Sequence, residues 1–503
     1  MAWYNKIFGG DKPKTKKRQT FARSYQGANT GRLFSDFKAT STSADAEIRD
    51  NIRILRDRAR ELARNDAYIA RYLNLMVSNV IGKHGIRVSS KSRNDNGSLD
   101  LAANQLIEAA FKDWTKIGNC TTNGRLSFLD CQKIFIEGLA RDGEILVRKV
   151  KNKSKYGFQL HFLEADHLDE TMNEPSKLTG NKIKMGVEVD EYDKPVAYHL
   201  YKGHPYASVY LNNKQHIRVP ADEIIHVYMP NRAEQTRGVT FLAPVIANLA
   251  QYSGYLEAEI VAARVASCTM GFITSPDGDG YVGDGEPTDT FNPTMTAEAG
   301  VFNQLPAGHT VETWQATHPT SAFESFTTSV LRSVASGLNI SYHALSNDLT
   351  SVNYSSIRQG ALEDRSNYML MQQFCIEHFI TPIFECWLEM AISSGSINLP
   401  IGKFDKFANS VTFIPRSFAW IDPLKEMQSH ILGLQNGTIT YSDISASFGR
   451  DTEELFEQHQ KEIELAKQYG IELAYQPFGA KMPVEATIQG AENTQNSEAD
   501  DDS

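Results

Sequence analysis

The 503-residue sequence predicts an α+β chain that is mainly helical. Apolar residues recur three or four apart before residue 140 and again after residue 240, which is the spacing of helices with one buried face. Between Glu144 and Met229 the period changes to the alternation of short strands. No strand–helix–strand rhythm runs through either region, which disfavours a parallel nucleotide-binding core. The composition is that of a folded chain, with 41% hydrophobic, 22% charged and 10% aromatic residues. At ~150 residues per domain the length corresponds to roughly three domain equivalents.

The elements follow in order. From Asp45 to Arg64, Ile48, Ile52, Leu55, Ala59 and Leu62 mark the buried face of a helix, and Arg49, Arg53, Arg56, Arg60 and Arg64 form a parallel basic stripe. Glu47, Asp50, Asp57 and Glu61 lie three or four residues from these arginines, so a salt-bridged surface is expected in preference to a DNA-binding stripe. A second helix, Ala67 to Ile81, ends at Gly82, and Gly85 to Val88 reads as a strand. Helices follow from Ser98 to Lys116 and from Ser127 to Ala140, the latter opened by Ser127 with Asp130 in a capping-box pattern. Strands are expected at Glu144 to Val150, Phe158 to Leu163, Lys184 to Asp190 and Pro195 to Tyr201, with Ser208 to Leu211 pairing with His216 to Val219 across Asn212 and Asn213.

From Phe241 to Thr269, Leu242, Val245, Leu249, Tyr252, Leu256, Ile260 and Ala263 carry one apolar stripe over a rod of roughly 43 Å. Such a helix fits either the core of one chain or the packing face between subunits, and both readings stand. Ser275 to Pro293 is rich in glycine, aspartate and proline. It contains GxGxxG at Gly278, Gly280 and Gly283, but no helix pattern follows and the aspartates would repel phosphate, so a flexible loop is expected instead of a dinucleotide site. The same stretch lacks the ligand pattern of a calcium loop. A helix from Ser321 to Gly337 precedes a polar stretch of small side chains, Tyr342 to Arg358, read as a loop. A long helix from Ser356 to Ser393 should kink at Pro382. Trp420 to Glu426 leads into a helix to about Asn436, and a charged helix spans Thr452 to Tyr469.

The net charge of −10 excludes a protein that neutralises phosphates over its whole surface. Residues 1–23 carry a net +6 and residues 485–503 a net −6, so the body between them holds the full −10. The run Lys12, Lys14, Lys16, Lys17 and Arg18 reads as a solvated terminus in preference to a nucleic-acid grip, and residues 482–503 as a disordered acidic tail. Five scattered cysteines without a CxxC pair argue against a disulfide framework or zinc module and point to a reducing cytoplasm. No apolar stretch reaches the ~18 residues of a membrane span.

No phosphate loop, HExxH, GxSxG or kinase signature is present. His161 with His167 and His199 with His204 lack metal-ligand spacing and read as structural. Glu164 and Asp166 would point the same way on a strand, but nothing nearby supplies a general acid, and a solvated strand end is expected. Neither a catalytic residue nor a metal or other cofactor is expected.

Several blocks resemble the portal proteins of tailed bacteriophages, specifically the lambda-type portal family. They are Arg58-Ala-Arg-Glu-Leu-Ala-Arg-Asn65 with Asn79-Val-Ile-Gly82, Asp142-Gly-Glu-Ile-Leu-Val147, Gly186-Val-Glu-Val-Asp190 with Pro195-Val-Ala-Tyr198, Ile225-His226, Arg237-Gly-Val239 and Leu242-Ala-Pro244. The sharpest are Leu345-Ser-Asn-Asp348, Asn353-Tyr-Ser-Ser-Ile-Arg358 and Trp420-Ile-Asp-Pro-Leu-Lys-Glu426. Together they run in order from about residue 58 to residue 426.

The resemblance implies a virion protein, assembled in the host cytoplasm into a ring, usually of twelve subunits, at one capsid vertex. Double-stranded DNA enters and leaves the head through such a ring. Its implied partners are further copies of itself, the major capsid and scaffolding proteins, the terminase packaging motor and head-completion or tail-adaptor proteins. Its implied architecture is a portal-type subunit with a flexible basic segment (1–30), wing (31–239), stem helix (240–269), clip (270–319), second stem helix (320–337), tunnel loop (338–358), long kinked helix (359–395), crown-side and wing-return region (396–481) and acidic tail (482–503). A rival placement makes the β module the clip. Asn347, Asp348, Ser351, Asn353, Tyr354, Ser355, Ser356 and Arg358 are the tunnel-loop candidates facing DNA, and Leu242, Val245, Leu249, Tyr252, Leu256 and Ile260 the stem-helix packing set. The competing classes are another structural head or tail protein and a phage maturation enzyme. The absence of a nucleophile or carboxylate cluster counts against the enzyme.

Overall fold

A computed structural model describes residue 32 and residues 41–207, 215–267, 271–274, 310–313, 323–350, 354–418, 423–448, 450 and 452–471. Among these the chain is mainly helical with several small antiparallel sheets. It begins with α1 (Ala44–Arg49), α2 (Ile52–Asn65) and α3 (Ala67–Met76), the last running into a π-helical turn, Val77–Ile81. β1 (Arg87–Ser90), α4 (Leu101–Trp114) and α5 (Phe128–Asp142) follow. Next come β2 (Glu144–Lys151), β3 (Phe158–Leu163), β4 (Lys182–Lys184), β5 (Val187–Val189), β6 (Pro195–Tyr201), β7 (His216–Pro220) and β8 (Ile224–Tyr228). Beyond them are α6 (Ile246–Ser267), β9 (Gly271–Thr274), β10 (Thr310–Thr313), α7 (Phe323–Gly337), α8 (Tyr342–Ser346), α9 (Tyr354–Cys375), a second π-helical turn (Ile376–Ile380) and α10 (Thr381–Ser393). The chain closes with α11 (Phe404–Ala408), β11 (Val411–Ile414), α12 (Pro423–Gln435), α13 (Tyr441–Ser447) and α14 (Thr452–Gln468).

Local chemistry sets the boundaries. Ser43 and Asp66 accept from the backbone N–H groups of Ala46 and Ile69 and so cap α1 and α3. Ser127 and Asp130 complete the expected capping box at α5. Asp45 to Arg64 is two helices, broken at Asp50–Asn51. The single strand expected from Lys184 to Asp190 is split into β4 and β5 by Met185 and Gly186, both at positive φ. β7 pairs with β6, and Ser208 to Leu211, the partner expected for His216 to Val219, lies outside the described residues. The kink expected at Pro382 takes the form of the π-turn just before it. Proline supplies no N–H and crowds the carbonyl four residues back, and a wider turn relieves both.

One large core joins α3, α4 and α5 to β2, β3, β8, the start of α6 and the α9–α10 helix. At its centre Phe135 and Phe379 stack at 4.1 Å, and Phe111 meets Trp387 edge to face at 4.8 Å. The Trp114 indole N–H donates to Phe158 O at 3.0 Å, so burying this ring leaves no unpaired donor. The sheet β3-β2-β8 lies against this core, while β4-β5-β6-β7 builds a second, smaller one around Val187, Tyr198, Leu200 and Val219. β1 pairs with β11, returning the C-terminal part of the chain to its beginning.

The basic stripe is salt-bridged as expected but does not all lie on the surface. Arg56 is 1% exposed, and Arg60 is committed to acids outside its own helix, whereas Arg53 keeps an i,i+4 partner in Asp57 at 4.0 Å. The helix expected from Phe241 starts later, at Ile246, because Thr240 to Val245 forms tight turns ahead of it. Residues 275–309, including the GxGxxG spacing, lie outside the described residues, as do both charged termini.

Candidate functional site

The stem-helix set divides between the turns ahead of α6, which hold Leu242 and Val245, and α6 itself. Leu242, Val245, Leu249 and Tyr252 are buried in this chain's own core, and Tyr252 meets Tyr68 of α3 edge to face at 6.1 Å. Leu256 is half-buried, and Ile260 is 52% exposed beside Val261 at 50%. α7 accompanies α6: Tyr255 stacks on Phe323 and meets Phe326 edge to face at 4.9 Å, while Leu331, Val334 and Ala335 are buried. Beyond the outer ends of the two helices, β9 and β10 pair antiparallel.

At the inner end of α7 the chain turns through Asn339 (φ 55°) into α8, which ends at Asn347 (φ 58°). The polar stretch is therefore only partly a loop. Ser341 caps a short helix there, and α9 begins at Tyr354. Ser341 is itself anchored, its N–H and Oγ donating to Asp364 of α9 at 2.8 and 2.6 Å. Burial raises the Asp364 carboxyl against the lowering effect of these two bonds. Asp348 accepts from Thr350 N–H and Oγ at 3.0 and 2.6 Å and from the Tyr342 hydroxyl at 3.0 Å, and these bonds hold its carboxyl below the usual range. From α3, Arg71 Nε donates to Ala344 O at 2.6 Å and Nη2 to Asn347 Oδ1 at 3.2 Å.

Of the remaining loop candidates, Ser351 and Asn353 lie outside the described residues, and Tyr354 is the first residue of α9. Ser355 and Ser356 are exposed and Arg358 half-buried in the first turns of that helix. Sequence reasoning missed Arg71 and Asp364. Arg71 lies 273 positions from its acceptor Ala344, and neither residue stands out in its own helix.

A second constellation is buried beside α2 and β2. Glu144 Oε1 accepts from Arg56 Nη2 at 2.8 Å and from Arg237 Nη2 at 2.5 Å; Oε2 accepts from Arg237 Nε at 2.8 Å and Gly238 N at 3.0 Å, with His226 Nε2 at 3.1 Å. Burial alone would raise this carboxyl, but the Arg237 charge, the His226 contact and the Arg56 charge hold it well below the carboxylate range. Arg60 bridges Asp142 and Asp166 at 3.0 and 2.6 Å. The backbones of 142–144 and 237–239 cross so closely that a Cβ on Gly143 would overlap Val239 and one on Gly238 would overlap the Gly143 carbonyl. The solvated strand end expected of Glu164 and Asp166 holds for Glu164 and is corrected for Asp166, which is buried. A 3₁₀ turn over Ala165–His167 ends the strand pattern and turns Asp166 inward to Arg60, leaving Glu164 outside beside His204 at 3.2 Å. Glu164, Asp166 and His204 lie within reach of a common ion, but Asp166 is already taken up by Arg60 and faces Arg56, so the set reads as part of the ion-pair network.

A family model described as phage portal protein, lambda family, matches residues 30–372. The chain is 33% identical over 497 residues to the probable portal protein of Halomonas phage phiHAP-1, covering 97% of this chain and 94% of that protein. It is 22% identical over 480 residues to portal protein B of Escherichia phage lambda, covering 87% and 88%. Among solved structures, a chain from the virion of a native gene transfer agent particle matches at a TM-score of 0.42 and 11% identity, covering 80% of this chain and 93% of that one.

Proposed function

The chain belongs to the lambda family of phage portal proteins, and from that premise we propose that it assembles into a ring, of twelve copies by family likeness, at one vertex of the virion head. Double-stranded DNA is packaged and ejected through the ring. The capsid and scaffolding proteins, a terminase motor and a head-completion or tail adaptor dock on it.

The observation that carries this reading is the division of α6. A helix that buries its first half in its own chain and leaves Ile260 and Val261 about half exposed at the other has apolar surface to cover, and neighbouring copies of the same helix pair are the natural cover. The pairing of β9 with β10 beyond α6 and α7 favours residues 270–319 as the clip, with the two helices as the stem. The β module, packed on the core through β2, β3 and β8, then belongs with α2–α5 in the wing, against the rival placement. The turn from Asn339 to Asn347 and the first turns of α9 form the base of the tunnel loop.

The charge pattern suits a conduit. DNA that must move cannot be gripped, and Lys and Arg contacts to phosphate supply most non-specific affinity. The loop candidates are hydroxyl and amide side chains with Asp348 and Arg358 opposite in charge, and the body carries −10. Reversing the charge with Arg358→Glu should change the length of genome packaged or retained while rings still form. Loss of the ring itself would assign Arg358 a structural role and remove it from the channel.

A further inference from the structure

We propose that Arg71 is the positioning residue of the tunnel loop, fixing from the wing the direction in which the chain leaves α8 toward the channel. The proposal rests on the reading of residues 338–358 as the tunnel loop that faces DNA.

The geometry is a bracket with two anchors. The segment from Ile340 to Ser346 lies between Asn339 and Asn347, both in the left-handed region that disfavours side chains other than asparagine and glycine. Its first end is bonded to α9, through Asp364 to Ser341 and through Asn367 Nδ2 to Asn339 O at 3.2 Å. Its second end is bonded to α3. There Arg71 reaches both the last-turn carbonyl of Ala344 and the side chain of Asn347, the residue at which the loop departs. Leu345, fully buried between the anchors, keeps the short helix from rolling.

α3 is a firm support. Ile69, Tyr72, Leu73 and Met76 are buried in the main core, so the Arg71 side chain stands on a helix that does not move with the loop. A planar guanidinium spans the two acceptors at once, which an ammonium on a flexible stem does less well. α7 touches the bracket as well, through the turn at Asn339 and through the Arg332 guanidinium, 5.6 Å from the centroid of the Tyr342 ring. The height and tilt of the loop are therefore set by α3 together with α9 and α7, and a displacement of α3 moves the point at which the loop leaves α8.

The test uses the full chain with Arg71→Met and Arg71→Lys. The amides of Leu345 and Asn347 donate to Ser341 O and His343 O and close the turn that Arg71 holds. Hydrogen exchange at these two amides should be at least tenfold faster in R71M and intermediate in R71K, with the α5 amides unchanged. Adding Asn347→Gly, which keeps the left-handed backbone but removes the acceptor, should speed exchange little further in the R71M background. Particles assembled with R71M should package or retain less DNA, with R71K restoring part of it. Unchanged exchange at Leu345 and Asn347 overturns the proposal, and so does acceleration that spreads to α5, which would show a general structural role. Faster exchange confined to the bracket together with normal packaging overturns the channel-facing reading of the loop and, with it, the functional half of the proposal.

Discussion

Glu144 shows how much of the subunit depends on a single buried charge. Two arginines, a histidine and a backbone amide converge on its carboxylate, which is the nearest negative charge to both arginines. The neutral amide introduced by Glu144→Gln leaves Arg56 and Arg237 buried with too little negative charge, and removing one partner of such a set typically costs about 3–5 kcal/mol. The substitution should therefore lower the denaturant midpoint sharply; an unchanged midpoint would show that the cluster is dispensable. Glu188 offers the pH counterpart. Hydrogen bonds led by Arg218, with Thr179, His199 and Asn181, outweigh burial and hold it at about 2. Because its folded value lies below the ~4.3 of an unfolded glutamate, its contribution is complete above that pH and is lost as pH falls toward 2. Melting temperature followed over this window should fall less steeply in Glu188→Gln than in the parent chain. The partners of neither carboxylate were legible as partners in the sequence. Asp142 to Val147, Ile225-His226 and Arg237 to Val239 stood out only as separate blocks, and nothing in their spacing brings together residues 88 or 93 positions apart.

Elements were read more fully, because a helix or strand repeats its signal over many residues. The capping box at Ser127, the strands β2 and β3 and the break before Pro382 in the long helix are all read from local signals, and local signals survive folding. Periodicity could not say which part of an apolar stripe is buried by its own chain. Leu242 through Tyr252 and Ile260 belong to one stripe in sequence, yet the structure buries the first and leaves the last exposed. This difference assigns different outcomes to two substitutions. Leu249→Asp places a charge without a partner in the core and should prevent the subunit from folding. Ile260→Asp should leave circular dichroism and melting of the subunit unchanged while abolishing ring formation in size-exclusion chromatography. Rings at normal yield from the Ile260 variant would remove this end of α6 from the interface. The basic stripe of α2 was misread for a related reason. A helical pattern fixes which residues share a face, and the burial of Arg56 depends on acids supplied by β2 and the turn after β3.

At the scale of the whole molecule, the composition excluded a protein that coats DNA, and the same net charge suits one that lets DNA pass. The ordered motif blocks carried the family, whereas assembly could be read only as an implication, since a single chain holds half of each subunit contact. In the proposed ring, the long apolar stripe, the polar bend and the paired strands between α6 and α7 become parts of one machine as copies surround a common axis. Negative-stain imaging of the purified full-length protein tests this most directly. The account predicts closed rings with a central opening wide enough for a DNA duplex. Monomers that stay monomeric at high concentration, or open tubes without such an opening, would contradict it.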